Sequence, residues 1–168
     1  MQILNSTPED IDAIFKLYDA AVEFQKTVSS KQWQGFERSL VEKEIGEKRQ
    51  WKIMEGDQIA CIFAITFNDP LIWNERDKDP AIYIHRIVTN PDFRGGSYVR
   101  EIARWAQGYA RSIDKKYVRM DTWGDNQKLK DYYVSCGFGY LGVTVLRDTS
   151  GLPKHYEGLT LSLFEIPV

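Results

Sequence analysis

The sequence predicts an α/β (α+β) fold: a mixed, mostly antiparallel central sheet of about seven strands with helices on both faces. Two observations carry this. Apolar runs of strand character interleave with segments of helical period in the order β, α, α, β, β, β, α, β, α, β, β. Hairpin-like pairs come early in that order and β-α-β units follow, a combination that gives a mixed sheet. The length, 168 residues with 43% hydrophobic content, suits one compact domain over residues 1–168.

The elements follow in order. Met1 to Leu4 reads as a short strand. Ser6-Thr7-Pro8-Glu9-Asp10 is a helix start: a hydroxyl cap, a proline in the first turn and acids near the positive end of the helix dipole. Ile11, Ile14, Phe15, Tyr18 and Val22 then recur at helical spacing. Lys26 to Gly35, which carries Trp33, connects to a second helix over about Phe36 to Arg49. Trp51 to Met54 is a strand and Glu55-Gly56-Asp57 a turn. Ile59 to Phe67 is apolar at both alternating sets of positions, as in a central strand covered on both sides.

Asn68 to Pro80 is polar and punctuated by prolines, so a loop is expected there, with Trp73 in it. Ala81 to Thr89 is a strand, ended by Asn90-Pro91-Asp92. Val99, Ile102, Ala103, Ala106, Ala110 and Ile113 form the stripe of the next helix. Tyr117 to Thr122 is a strand, and Asn126 to Cys136 a helix that Gly137 stops. Phe138 to Leu146 and Leu159 to Ile166 are the last strands, joined by a long loop from Asp148 to Gly158.

Composition narrows the function. The formal net charge is −2, and lysines and arginines are scattered among acids. No basic stripe of a nucleic-acid binder is present. Cys61 and Cys136 each sit in an apolar stretch and read as small buried hydrophobes. With His85 and His155 they make no zinc-ligand spacing, so no metal is expected. The first residues show no basic region followed by a long apolar run, and no apolar stretch approaches the ~20 residues that span a bilayer. A cytoplasmic protein without membrane partners is expected.

The most informative stretch is Ile84-His85-Arg86-Ile87-Val88-Thr89-Asn90-Pro91-Asp92-Phe93-Arg94-Gly95-Gly96-Ser97. A strand runs into a glycine turn and then a helix. Glycines allow close approach of the backbone to a ligand, and the free N–H groups of a helix start favour an anion. Arg94 adds a positive charge. The chemistry suggested is a phosphate or pyrophosphate cradle. The stretch lacks the Lys-Ser/Thr ending of a P-loop, and no dinucleotide fingerprint follows the first strand.

This strand–Asn-Pro-x-Phe-Arg-Gly-Gly–helix stretch resembles the acyl-CoA-binding motif of the GNAT superfamily of N-acetyltransferases. Asp125-Asn126, Leu129, Tyr132-Tyr133 and Cys136-Gly137-Phe138 resemble the family's later motif, in the right order and at the right separation. One departure stands out. Counting from Arg94 without a gap, the positions the family gives to glycine and to glycine or alanine fall on Ser97 and Val99; a one-residue deletion instead places Gly96 at the first glycine.

The resemblance implies acetyl-CoA as co-substrate and a primary amine of a small molecule or peptide as acceptor. It implies direct attack through a ternary complex. It places acyl-carbonyl binding on a backbone N–H of Ile87 or Val88 and the pyrophosphate on Arg94, Gly95, Gly96, Ser97 and Tyr98. Asn126 would meet the pantetheine or cap its helix, or do both.

Tyr133 aligns with the tyrosine that protonates the departing thiolate, with Tyr132 as its neighbour. His85 is the candidate base, with a water chain, Glu23 or Asp121 as alternatives. Asp121 is placed to meet an ammonium group, and Trp33 and Trp123 to meet the acceptor; Phe36 and Trp73 are further aromatic candidates. His155 reads as a surface residue. The resemblance also leaves a homodimer open. The alternative function is a non-catalytic acyl-CoA sensor on the same fold.

Overall fold

The computed structural model describes residues 1–28, 32–124, 126–146 and 160–168. The expected loop after Asp148 and His155 within it lie outside them. Seven strands form one sheet: β1 (Gln2–Asn5), β2 (Gln50–Glu55), β3 (Gln58–Thr66), β4 (Ala81–Thr89), β5 (Tyr117–Trp123), β6 (Gly139–Val145) and β7 (Thr160–Pro167). Their order is β1-β2-β3-β4-β5-β7-β6. The helices are α1 (Ile11–Val28), α2 (Arg38–Gly46), α3 (Pro70–Trp73), α4 (Tyr98–Ser112) and α5 (Gln127–Ser135). The mixed, mostly antiparallel seven-stranded sheet is as the sequence predicts. No helix among the described residues is long and apolar enough to cross a membrane.

The described residues form two compact units interleaved along the chain. The first comprises Met1–Ile65 and Arg86–Gly96. Its strands β1, β2 and β3 pair antiparallel through registers such as Ile3↔Ile53 and Ile53↔Cys61. Every residue from Ala60 to Ile65 is buried, which is the expected mark of a strand covered on both sides. Helix α1 begins after a 3-10 turn over Pro8–Asp10, where the Thr7 N–H donates to the Asp10 carboxylate at 2.8 Å. Its Ile14, Leu17 and Tyr18 pack with Val41 of α2, Ile62 of β3 and Val88 of β4. Helix α2 is shorter than expected: Glu37 is its N-cap, and Lys48 beyond its end turns left-handed at φ 59°.

The second unit comprises Thr66–His85 and Ser97–Val168. Here β4 runs parallel to β5, from Ala81↔Tyr117 to Ile84↔Met120. β7 pairs antiparallel with both β5 and β6. The amphipathic stripe of α4 buries Ile102, Ala103, Ala106 and Ala110, while Ile113 stays 36% exposed.

One expectation needs correction. Residues 68–80 are not an unstructured loop but α3 followed by a 3-10 turn over Asn74–Lys78. Pro70 sits at the start of α3, where its fixed φ suits a helix and its missing N–H is not needed. The Asp69 carbonyl accepts the N–H of Trp73 at 2.9 Å. Ile72 and Trp73 are then buried against Ala81, Tyr83, Leu161 and Leu163. Trp73 is therefore a core residue, 2% exposed, and no candidate for the acceptor.

Candidate active site

The register of the parallel pair builds the centre of the candidate site. Ile84 stands opposite Met120. The next residues are His85 and Asp121, which parallel pairing turns to the same face. Asp69, the residue before α3, reaches the same point. One side-chain atom from each of Asp69, His85 and Asp121 lies within 4.8 Å of the others. The His85 Nε2 is 3.2 Å from the Asp69 Oδ2. Asp69 is buried, and His85 and Asp121 are half-buried.

Burial pushes the Asp121 carboxyl up to about 7; the His85 charge pulls it down and the Asp69 charge pushes it further up. Two acids and an imidazole so close can shuttle a proton and attract a cation. They are also donors of the kind that hold a divalent ion, a combination hidden in the sequence because the three lie far apart in the chain.

Tyr133 lies on α5. Its ring meets Phe164 edge-on, with centroids 5.3 Å apart and planes at 72°, and Tyr132 at 5.7 Å. Burial holds its phenol well above the usual range, with the charges of Tyr132, Cys136 and Asp121 acting the same way. It is thus a protonated donor at neutral pH. Asn126 is the N-cap of α5, its side chain accepting the Leu129 N–H at 3.0 Å. Cys61 and Cys136 are buried free thiols, and burial pushes that of Cys61 up to about 12.

The glycine turn has the backbone that its sequence suggests. Gly95 has φ 90°, and a Cβ added there would meet nothing within 4 Å. Ser97, the N-cap of α4, is left-handed at φ 55°, so a serine occupies a conformation usually left to glycine. Arg94, Gly95, Gly96 and Ser97 are all exposed, and Arg94 lies over the Phe24 ring at 4.4 Å. Tyr98 is 7% exposed, so a ligand at the helix start meets its backbone rather than its ring. An exposed arginine and an exposed glycine turn leading into a helix start are features that favour an anion.

In the first unit, Arg86 turns left-handed at φ 51° in the middle of β4. Its guanidinium bonds the Glu44 carboxylate and lies 3.2 Å from the Tyr18 hydroxyl, with Phe36 at 5.0 Å below its plane. Next on the strand, Ile87 is half-buried, and the Val88 side chain is buried in the core of this unit. Trp33 packs edge-on against Tyr18 and Phe36, at 6.1 and 5.4 Å. Trp123, in the second unit, is half-buried against the cluster of Trp73 and Tyr83.

A sequence profile of the acetyltransferase (GNAT) family matches residues 15–138, most of the chain. The chain belongs to the GNAT acetyltransferase family. It is an enzyme of the transferase class, and acetyl-CoA is the family's acetyl donor. It is 21% identical over 151 residues to YesJ of Bacillus subtilis (strain 168), an uncharacterized N-acetyltransferase, covering 85% of this chain and 82% of YesJ.

The fold resembles a GNAT-family acetyltransferase from Listeria monocytogenes, with TM-score 0.78 and 22% identity over 99% of this chain and 94% of that one. It also resembles an acetyltransferase from Salmonella typhimurium solved with acetyl-CoA, with TM-score 0.69 and 13% identity over 99% and 93%. Of the site residues named from the sequence of this GNAT protein, His85 and Asp121 meet at one point. Asp69 was missed: in Asn68-Asp69-Pro70 it looks like any loop acid, and only its burial sets it apart.

Proposed function

We propose that this enzyme moves an acetyl group from acetyl-CoA to a primary amine of a small molecule or peptide by direct attack in a ternary complex. The observation that carries the proposal is the meeting of His85 with two carboxylates at the end of the parallel β4–β5 pairing. Acetyl-CoA supplies the activated thioester carbonyl.

In this reading Asp121 receives the acceptor as an ammonium ion, and His85 takes the proton that frees the amine's lone pair. The new C–N bond forms as the C–S bond breaks. Tyr133 gives its phenolic proton to the departing sulfur, a role supported by the burial that keeps it protonated. A backbone N–H of Ile87 or Val88 meets the acyl oxygen. Arg94, Gly95, Gly96, Ser97 and Tyr98 hold the pyrophosphate through the arginine charge and the positive end of the α4 dipole. Asn126 keeps its capping bond and turns its amide NH2 to the pantetheine, and Trp123, in the same unit as Asp121, borders the acceptor.

Calorimetric titration with acetyl-CoA, against ATP and NAD, tests the donor site; an amine panel with thiol detection tests turnover. Binding is expected for acetyl-CoA alone. Tyr133→Phe is expected to lower kcat about 100-fold while leaving acetyl-CoA affinity unchanged. Equal binding of ATP would sink the transferase reading, and full turnover in the phenylalanine variant would remove Tyr133 from the mechanism.

A further inference from the structure

We infer that Asp69, His85 and Asp121 form a binding site for one divalent transition ion of the zinc class. An ion there and the proton transfer given to His85 above are alternative uses of one cluster. The site therefore stands or falls on binding, whereas turnover of the ion-free enzyme tests the reaction.

Three separate parts of one unit supply the donors. Asp69 precedes α3, His85 follows the last paired residue of β4, and Asp121 stands beside it on β5. One ligand atom from each lies within 4.8 Å of the others. The His85 Nε2 and the Asp69 Oδ2 are 3.2 Å apart. Zinc bonds of about 2.0–2.2 Å put two ligands roughly 2.9 Å apart at a right angle and roughly 3.4 Å apart in a tetrahedron. The observed separation lies between those values. Asp121 is half-buried, and rotation of its carboxylate toward the other two closes the third side.

A second observation concerns Asp69 itself. It is 6% exposed, and its Oδ2 has no hydrogen-bond partner among the described residues. The imidazole is near that oxygen but not aligned to donate to it. A buried carboxylate oxygen without a donor is costly, and a bound cation removes the cost. The backbone of Asp69 is anchored: its N–H donates to the Asp77 Oδ1 at 2.6 Å, and its carbonyl accepts from Trp73 at 2.9 Å. An oxygen held in this way is a pre-set ligand. Among the described residues no lysine or arginine forms an ion pair with Asp69 or Asp121. The nearest cation along β5, Arg119, is committed to Asp79 and Glu165.

The donor set selects the ion. Imidazole suits zinc, copper, nickel and iron, whereas magnesium and calcium take oxygen ligands. Three protein donors leave the fourth position of a zinc ion to water.

The experiment is calorimetric titration of Zn2+ into the chelator-treated intact protein, with Mg2+ in parallel. One equivalent of Zn2+ is expected to bind, and Mg2+ is expected not to. Asp69→Asn, His85→Gln and Asp121→Asn should each weaken Zn2+ about ten-fold or more, with circular dichroism checking that each variant is folded. The wild-type titration needs no variant: the lack of a saturable equivalent of Zn2+, or equal binding of Mg2+, would overturn the site. Unchanged Zn2+ affinity in the three variants would put the ion elsewhere and would overturn it as well.

Discussion

Asp121 carries a pH dependence whose sign can be worked out. Its carboxyl is pushed up to about 7 by burial, against about 3.9 in an unfolded chain. Below pH 4 both states hold the proton. Between pH 4 and 7 the folded state binds it and the unfolded state does not, so stability falls as pH rises through that window. Above 7 the ionised carboxylate is a standing cost. Asp121→Asn removes this slope. Its Tm relative to wild type should therefore be higher at pH 8 than at pH 5. A Tm difference independent of pH would show that Asp121 ionises as an ordinary exposed acid. At this scale the sequence exposes residue types but not burial. His85 and Asp121 are legible because a histidine and an acid near strand ends are chemically conspicuous. Asp69 lies among Asn68, Glu75, Asp77 and Asp79, where nothing in the order of letters marks the one acid that is enclosed.

The strands and long helices are legible as elements because their apolar positions keep the period of 2 or 3.6 that burial enforces. Two features are not. The short α3 has too few residues to show a period, and the acids and prolines around it, from Asp69 to Pro80, look like loop. The left-handed Arg86 interrupts β4 inside Ile84-His85-Arg86-Ile87, where two adjacent polar residues break the alternation without marking a left-handed turn. What holds it there is the guanidinium's tie to Glu44 and Tyr18, contacts 42 and 68 residues away in sequence. Ser97 at the start of α4 is the reverse case: the sequence shows the departure from glycine, and the structure shows that the conformation survives it. A left-handed residue with a Cβ costs roughly 1–2 kcal/mol, and glycine loses about half of that advantage to the unfolded chain. Ser97 is exposed, so no packing is lost on its replacement. Ser97→Gly should therefore stabilise by up to about 1 kcal/mol and raise Tm by roughly 2–4 °C. A lower Tm would mean that the hydroxyl makes a contact that outweighs the strain.

At the scale of the whole molecule, the family was legible from two short segments, 84–97 and 125–138, because the glycine turn and the asparagine–tyrosine spacing match motifs that the proposed reading ties to one donor molecule rather than to packing. Strand order answers to packing alone, which is why structures of 13–22% identity share it. The acceptor has no such signature, since aromatic rings such as Trp33 serve a core and a pocket equally well. The donor therefore gives the sharper prediction for the intact protein. A ligand that binds only the folded state adds RT ln(1 + [L]/Kd), about 2.7 kcal/mol at a hundred times Kd. For a chain of 168 residues that corresponds to a rise in Tm of roughly 5–10 °C. Acetyl-CoA should give this shift, and CoA nearly all of it, because the pyrophosphate and pantetheine contacts are common to both. ATP at the same concentration shares phosphates but no pantetheine and should give little. A shift with CoA equal to that with ATP would mean that the exposed turn at Arg94–Ser97 takes any phosphate and that the β4 backbone contributes no recognition of its own.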